Sequence, residues 1–410
     1  NAEIASRLSA QVRFYEDYSR LTPCPNDEHW VDNMPPDASR ITQNPSARND
    51  RAVLAYNRSW MELRLGREDR HWGVGRRGDL FLSENPFPLD GFSFRFHTRY
   101  VSGASLFAQT QRGPNPPDLV QGEPYASDEY ISGEAYYAAH RFEITPPWPV
   151  SFGVYEAAVY GGRGIDLAYV NPVAILVAVN QDLWDRAHQD DKKILGADIR
   201  LDLPPLTLYG EFLLDRLVVL DEADEGESSK ISSFAELIGL RWANPFGLSG
   251  ADLDLEYVHL DPQVYFHKDR DIRYAFLTDD RLGEGKLIGH WLGPNADGLY
   301  VTLQFPPARW GRFDLVFEQA RWGLIDGKRG VETGFVGLTK AEKHWITGDK
   351  AVERILALSW EQRGWRIGIP GALDARMTIA RIERSGMNQN RGWQVELRLK
   401  WRTEKVLIDS

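Results

Sequence analysis

The chain has 410 residues, with 59 acidic against 48 basic side chains and a formal charge of −11. That balance excludes the basic footprint a nucleic-acid partner requires, and Cys24, the single cysteine, leaves neither an intrachain disulfide nor a cysteine-based zinc site. Mean hydropathy is −0.42, and the longest apolar run, Val173–Val179, is far shorter than the roughly 18 residues of a membrane helix. A membrane strand escapes this test, because only every second residue meets lipid.

The residues after Asn1, AEIASRLSAQ, lack the apolar core of a signal peptide, so an exported protein would start here in mature form. Residues 10–19, AQVRFYEDYS, read as a first strand, and no helical segment is expected before Asn57. Met61, Leu63 and Leu65 then oppose Glu62 and Arg64, and Phe92, Phe94 and Phe96 oppose Ser93, Arg95, His97 and Arg99. Further on, Leu253, Leu255 and Tyr257 oppose Asp252, Asp254 and Glu256, and Leu299, Val301, Leu303 and Phe305 oppose Tyr300, Thr302 and Gln304. The clearest strand comes near the end, where Trp393, Val395, Leu397, Leu399 and Trp401 alternate with Gln394, Glu396, Arg398 and Lys400.

Alternation alone does not say which face is inside. Connection lengths decide. Short links at Asn57–Arg58, Val101–Gly103, Thr145–Pro149, Pro204–Pro205, Asn244–Ser249, Pro306–Gly311 and near Gln362 take turns with long polar ones at 20–50, 68–90, 111–130, 161–191, 217–231, 261–296, 321–351 and 384–391. Regular turn-taking of this kind is the pattern of an outer-membrane barrel, with tight periplasmic turns and long extracellular loops. The expected fold is all-β, a transmembrane antiparallel barrel counted at about 16 strands, some of its long loops plugging the lumen. Trp60, Trp148, Trp242, Trp310, Trp360, Trp393 and Trp401 fall near strand ends, as an interfacial girdle requires. Residues 1–401 form the barrel, and 402–410 are a tail, either natural or a cloning remnant.

Five stretches, in order, resemble the capsule-assembly Wzi-like family of outer-membrane proteins. They are WMELRLGREDRHWGVGRRGDLFLSENPFP, YVNPVAILVAVNQD with ILGADIRLDLPPLTLYGEFLLDRL, WANPFGLSGADLDLEYVHLDPQVYFHKD and LIGHWLGPNADGLYVTLQF, running from Trp60 to Phe305. The resemblance implies a barrel of about 18 strands in the outer membrane that helps hold surface polysaccharide, one hairpin more than the count, so the expectation is about 16 to 18. The extra hairpin beyond the count would lie within 261–296 or 321–351.

Candidate chemistry centres on Arg67–Pro88, where Gly66, Gly73, Gly75 and Gly78 permit tight paths and Arg67, Arg70, Arg76 and Arg77 concentrate positive charge. Two readings stand side by side. Folded into the lumen, the guanidiniums clamp acidic groups of a polysaccharide while Trp72 stacks on a sugar; or they pair with Glu62, Asp69, Asp79, Glu84 or the wall acids and knit a plug. The candidate binding set is Arg67, Trp72, Arg76, Arg77, Asp79, Glu211, Asp215 and Glu256, and Asp198 also falls on an inward face. Paired inward carboxylates are ordinary in a polar lumen, so glycoside hydrolysis is not expected. His259 and His267 read as loop residues rather than metal ligands, DEADEGESS at 221–229 reads as a solvated hairpin tip, and no nucleophile elbow or phosphate loop occurs. The expectation is a non-enzymatic protein without cofactor or metal, partnered by surface polysaccharide, outer-membrane lipid and lipopolysaccharide. It is either a monomer or part of a larger envelope assembly, and the competing functions are a channel and a structural scaffold.

Overall fold

The computed structural model describes residues 8–17, 46–85, 88–111, 134–179, 191–216, 232–267, 272–276, 286–306, 311–325, 328–329, 344–365, 372–386 and 390–402. Cys24, Trp310, Asp269, the 221–229 acidic run, residues 403–410 and much of the long links lie outside the described residues.

The strands are β1 (Leu8–Asp17), β2 (Ser46–Asn57), β3 (Met61–Glu68), β4 (Leu89–His97), β5 (Val101–Gln111), β6 (Ala135–Ile144) and β7 (Val150–Gly161). They continue with β8 (Lys192–Leu203), β9 (Leu206–Arg216), β10 (Ser233–Ala243), β11 (Asp252–Leu260), β12 (Ala275–Phe276) and β13 (Lys286–Leu287). The last are β14 (Ala296–Gln304), β15 (Arg312–Ile325), β16 (Lys328–Arg329), β17 (Asp349–Trp365), β18 (Ala372–Ser385) and β19 (Asn390–Arg402). All but β12 and β13 join one 17-stranded sheet, in which each long strand pairs antiparallel with the next. β14 pairs with β11, and β17 with β15, while β16 caps the end of β15 and β12 pairs with β13 in a separate ribbon.

Cross-strand register resolves which way the alternating faces point. Between β6 and β7, Phe142 faces Val154 and Ile144 faces Phe152, and all four are exposed. The other face of the same pair carries Arg141 opposite Tyr155, and Arg141 pairs with the buried Asp198 of β8. The same inversion runs round the sheet. Leu65, Phe92, Ile199, Phe212, Ile238, Leu299, Leu315, Leu356, Ile379 and Val395 are exposed, while Glu68, Glu211, Asp254, Glu256, Asp314 and Glu353 are buried. In water, leaving a Leu, Ile or Phe exposed forgoes about 1.5–3 kcal/mol each, so this outer face is built for an apolar solvent. Trp60 and Trp148 stand exposed on the short links and Trp393 near the opposite end of its strand, bracketing that apolar band.

Some sequence-based boundaries move. The link expected at Val101–Gly103 is instead 98–100, closed by the Thr98 N–H on the Val101 carbonyl at 2.7 Å, so Val101–Gly103 open β5. β17 runs through Gln362 to Trp365, and β15 reaches Ile325 inside the expected long link. β2 likewise starts at Ser46, within the expected 20–50 link. Hydrogen bonding along the neighbouring strand, which composition does not show, carries each of these ladders further. Arg402, assigned above to the tail, is the last residue of β19, held by register with Ala372.

Candidate functional site

The link between β3 and β4 turns inward and crosses the charged face. Leu80, Phe81 and Leu82 are fully buried, and Trp72 and Leu82 form an antiparallel bridge that folds the segment on itself. At its near end Arg67 pairs with Asp90, and Arg70, itself buried, pairs with Glu68 at 3.1 Å.

Two wall carboxylates hold the far end. Glu211 of β9 accepts the backbone N–H groups of Val74 at 2.6 Å, Gly75 at 2.8 Å and Leu80 at 2.7 Å. Glu256 of β11 accepts those of Arg76 at 2.7 Å and Arg77 at 3.1 Å, and the Tyr209 hydroxyl at 3.0 Å. Gly73 is required here, because a Cβ on it would lie 2.3 Å from both Asp79 Oδ1 and Glu211 Oε1. Burial pushes the Asp79 carboxyl well above the usual carboxylate range, and the charge of Glu211 adds to the shift. The arginine side chains go to strand acids, Arg76 to Asp254 at 3.4 Å and Arg77 to Glu318, with Arg77 also over the Tyr300 ring at 5.5 Å.

A second inward segment, between β11 and β14, clasps the first. The Tyr265 hydroxyl donates to the Leu80 carbonyl at 2.5 Å, and the Tyr274 hydroxyl to the Phe81 carbonyl at 2.6 Å. Ser83 donates through Oγ to the Gly289 carbonyl at 2.6 Å, and Trp291 Nε1 donates to the Arg77 carbonyl at 3.1 Å. Phe81 packs on Tyr155 of β7, ring centroids 4.2 Å apart. Asp215 takes the Tyr265 N–H at 2.6 Å and pairs with Lys192. His290 is fully buried, and burial lowers its pKa to about 3, so it stays neutral, with Nδ1 accepting the Leu292 N–H at 3.3 Å.

The two interlocked segments thus touch β7, β9, β11 and β15 although the first springs from β3. Going along the ladder from β3, Glu256 is reached only after β4 through β10, so the segment bonds to a strand far from its own along the sheet. Of the sequence-derived candidates, Asp79, Glu211, Asp215 and Glu256 are brought together as plug anchors. Arg76 and Arg77 meet them at the tip. Arg67 stands apart at the near rim, and Trp72 packs against Phe81, centroids 6.2 Å apart.

Sequence reasoning missed the tyrosine clasp, His290 and the indole of Trp345. Trp345 precedes β17 at the long-link end, is 50% exposed, stacks on the buried His259 ring at 3.7 Å and donates through Nε1 to the Tyr257 hydroxyl at 3.0 Å. His259, read from the sequence as a loop residue, is on β11; it is fully buried beneath that indole. The only sequence signal was an unusual number of aromatic residues in connections otherwise rich in charge.

A strand wall that turns apolar side chains outward, buries its carboxylates inward and fills the space with its own long links defines the class: a β-barrel protein of the bacterial outer membrane. The chain belongs to the capsule assembly protein Wzi family, whose model matches residues 1–310. Among solved structures it is similar to Wzi of Escherichia coli, described as an outer-membrane protein involved in group 1 capsule assembly and a carbohydrate-binding β-barrel. That likeness is one of fold: 14% identity and a TM-score of 0.51, over 85% of this chain and 69% of that one. OprD of Pseudomonas aeruginosa is 13% identical with a TM-score of 0.44, over 87% and 77% of the two chains. OccD3 of the same organism is 15% identical with a TM-score of 0.41, over 87% and 77%. Curated protein sequences give no match.

Proposed function

We propose that this protein retains capsular-type polysaccharide at the cell surface by non-covalent binding, and that it does not transport it. In this reading the sheet closes into a single barrel domain of about 16 to 18 strands over residues 1–401, followed by the short tail, and works without catalysis, either as a monomer or within a larger envelope complex. The observation that carries it is the plug. A channel needs a continuous water-filled path, whereas here two long links are hydrogen-bonded to each other and to the inward carboxylates of β9 and β11. The E. coli neighbour's description as carbohydrate-binding supports the same reading.

The arginine segment then serves the glycan indirectly, as a rigid floor. The charges of Arg67, Arg76 and Arg77 are matched by Asp90, Asp254 and Glu318 in turn, so this segment offers no uncompensated positive patch, and at a net charge of −11 an acidic polymer would be held only through bridging cations. Contact with sugar falls to Trp345, whose indole is braced by His259 and half exposed. Stacking of a pyranose ring there is worth about 1.5 kcal/mol, roughly tenfold in Kd. The test measures binding of the producer's own surface polymer and conductance in planar bilayers. Trp345→Ala should weaken binding about tenfold with the bilayer still sealed. Arg76→Ala with Arg77→Ala should raise conductance while the polymer still binds. Large steady conductance of the unaltered protein would refute the retention reading.

A further inference from the structure

The long link after β7 does the opposite of the plug. On β6 and β7, Tyr136 faces Tyr160, Ala138 faces Ala158 and His140 faces Glu156, in unbroken register with the exposed pairs Phe142–Val154 and Ile144–Phe152. These six residues therefore belong to the outer wall. Yet Tyr160, Ala138 and Ala158 are buried, because the segment 162–179 lies over them. Tyr169 stacks on Tyr160 at 4.8 Å, and Leu176 fills the same cluster beside Phe107. Glu156 accepts the N–H groups of Leu176 at 3.0 Å and Val177 at 3.4 Å while meeting His140 Nδ1 at 3.3 Å. The strap thus covers an ionisable pair that would otherwise stand on the apolar wall.

The strap's own outer surface is apolar. Leu167 is 77% exposed and Val173 84%, with Ile165 and Ile175 exposed beside them. Its charges are turned away from that surface: Arg163 is bound to Asp191 at 2.6 Å, and the Asp166 carboxylate caps the turn Leu167–Val170. We propose that residues 162–179 form an outer-leaflet strap, seated on the lipid-facing wall with Leu167, Val173 and Ile175 in contact with acyl chains. Two features select lipid as occupant. The patch is continuous with the exposed band of Phe142, Val154, Leu195 and Ile199 that the membrane already covers. And Lys193, on the outer face opposite Ala158, adds a cation beside the strap, as a segment seated against anionic lipid headgroups would carry. An in-plane amphipathic segment of this kind buries its apolar side at the boundary between headgroup and acyl regions.

The test uses the full chain in a Cys24→Ser background, with an environment-sensitive fluorophore on Val173→Cys and, separately, on Leu167→Cys. A label on Phe152→Cys serves as the wall benchmark. Both strap positions are exposed, so folding, checked by heat-modifiable gel mobility, should be unaffected. In vesicles carrying nitroxide-labelled lipid, the strap labels should be quenched as strongly as the benchmark and shielded from aqueous iodide. Strong iodide quenching with no lipid quenching would overturn the proposal. So would shielding from both quenchers that strengthens with protein density, which would place a second protein copy on the patch.

Discussion

Glu211→Gln is the sharpest test of how the plug is held. The side chain keeps its shape, but a carboxylate serving three N–H donors becomes an amide with one oxygen. That oxygen can still take Val74 and Gly75, now without the assistance of a full charge, a loss of about 1 kcal/mol each. The new amide NH2 confronts the Leu80 N–H that Glu211 now accepts at 2.7 Å, leaving two buried donors face to face. An unsatisfied buried group costs about 1–3 kcal/mol. Against this, Asp79, whose pKa is raised chiefly by burial, is relieved of the neighbouring charge that adds to that rise. The net is about 3 kcal/mol, or roughly a hundredfold shift toward an undocked plug. The assay is single-channel recording in planar bilayers, with thermal unfolding as control. Glu211→Gln should open in bursts while the barrel's own unfolding temperature barely changes, because the strand ladder is untouched. A sealed lumen in Glu211→Gln, at an unchanged unfolding temperature, would refute the assignment of Glu211 as anchor.

Other consequences follow from the same geometry. Gly73→Ala sets a Cβ 2.3 Å from Asp79 Oδ1 and Glu211 Oε1 at a φ of +159°, and should loosen the plug by about 2–4 kcal/mol, read as conductance bursts. His290 has a folded pKa near 3, below its free value of 6.5, so the unfolded segment binds the extra proton. Plug stability should therefore fall as pH drops below 6.5, by up to about 1.4 kcal/mol per unit, and His290→Gln should flatten that slope in hydrogen-exchange protection of Leu80. Asp79 acts with the opposite sign. Its folded pKa is raised above 3.8, so its contribution is complete below that pH and is lost as pH rises through the folded value, and Asp79→Asn should remove the loss.

The barrel wall was legible in the sequence because period-two alternation and link length are local properties. The run from Trp393 to Trp401 and the faces of 61–65 and 92–96 are found as read. The inward placement of Glu211, Asp215 and Glu256 follows from the same parity. What those carboxylates do was not legible. Their partners are backbone N–H groups 137 residues away for Glu211 with Val74 and 180 away for Glu256 with Arg76, and a backbone donor leaves no mark in side-chain composition. Trp345 was hidden for a related reason: its brace, His259, lies on a distant strand whose end was read as loop.

Among the described long links, the direction of folding follows what the wall offers at its outer end. Where the inner face carries acids without cations of their own, as at Glu211 and Glu256, a glycine-rich link with free N–H groups and arginines satisfies them and is drawn inward. Where the outer face carries tyrosines and the pair His140–Glu156, an apolar link is drawn outward, since lipid cannot hydrogen-bond a carboxylate. The longest apolar run in the chain, Val173–Val179, belongs to the outward link, and the densest arginine cluster to the inward one. Exchange of Glu156 for Leu should therefore weaken the strap's hold on the wall while the plug stays shut. Nitroxide-lipid quenching at Val173 would become shallower or more variable, with conductance unchanged. A change in conductance without any change at Val173 would contradict this division between the two links.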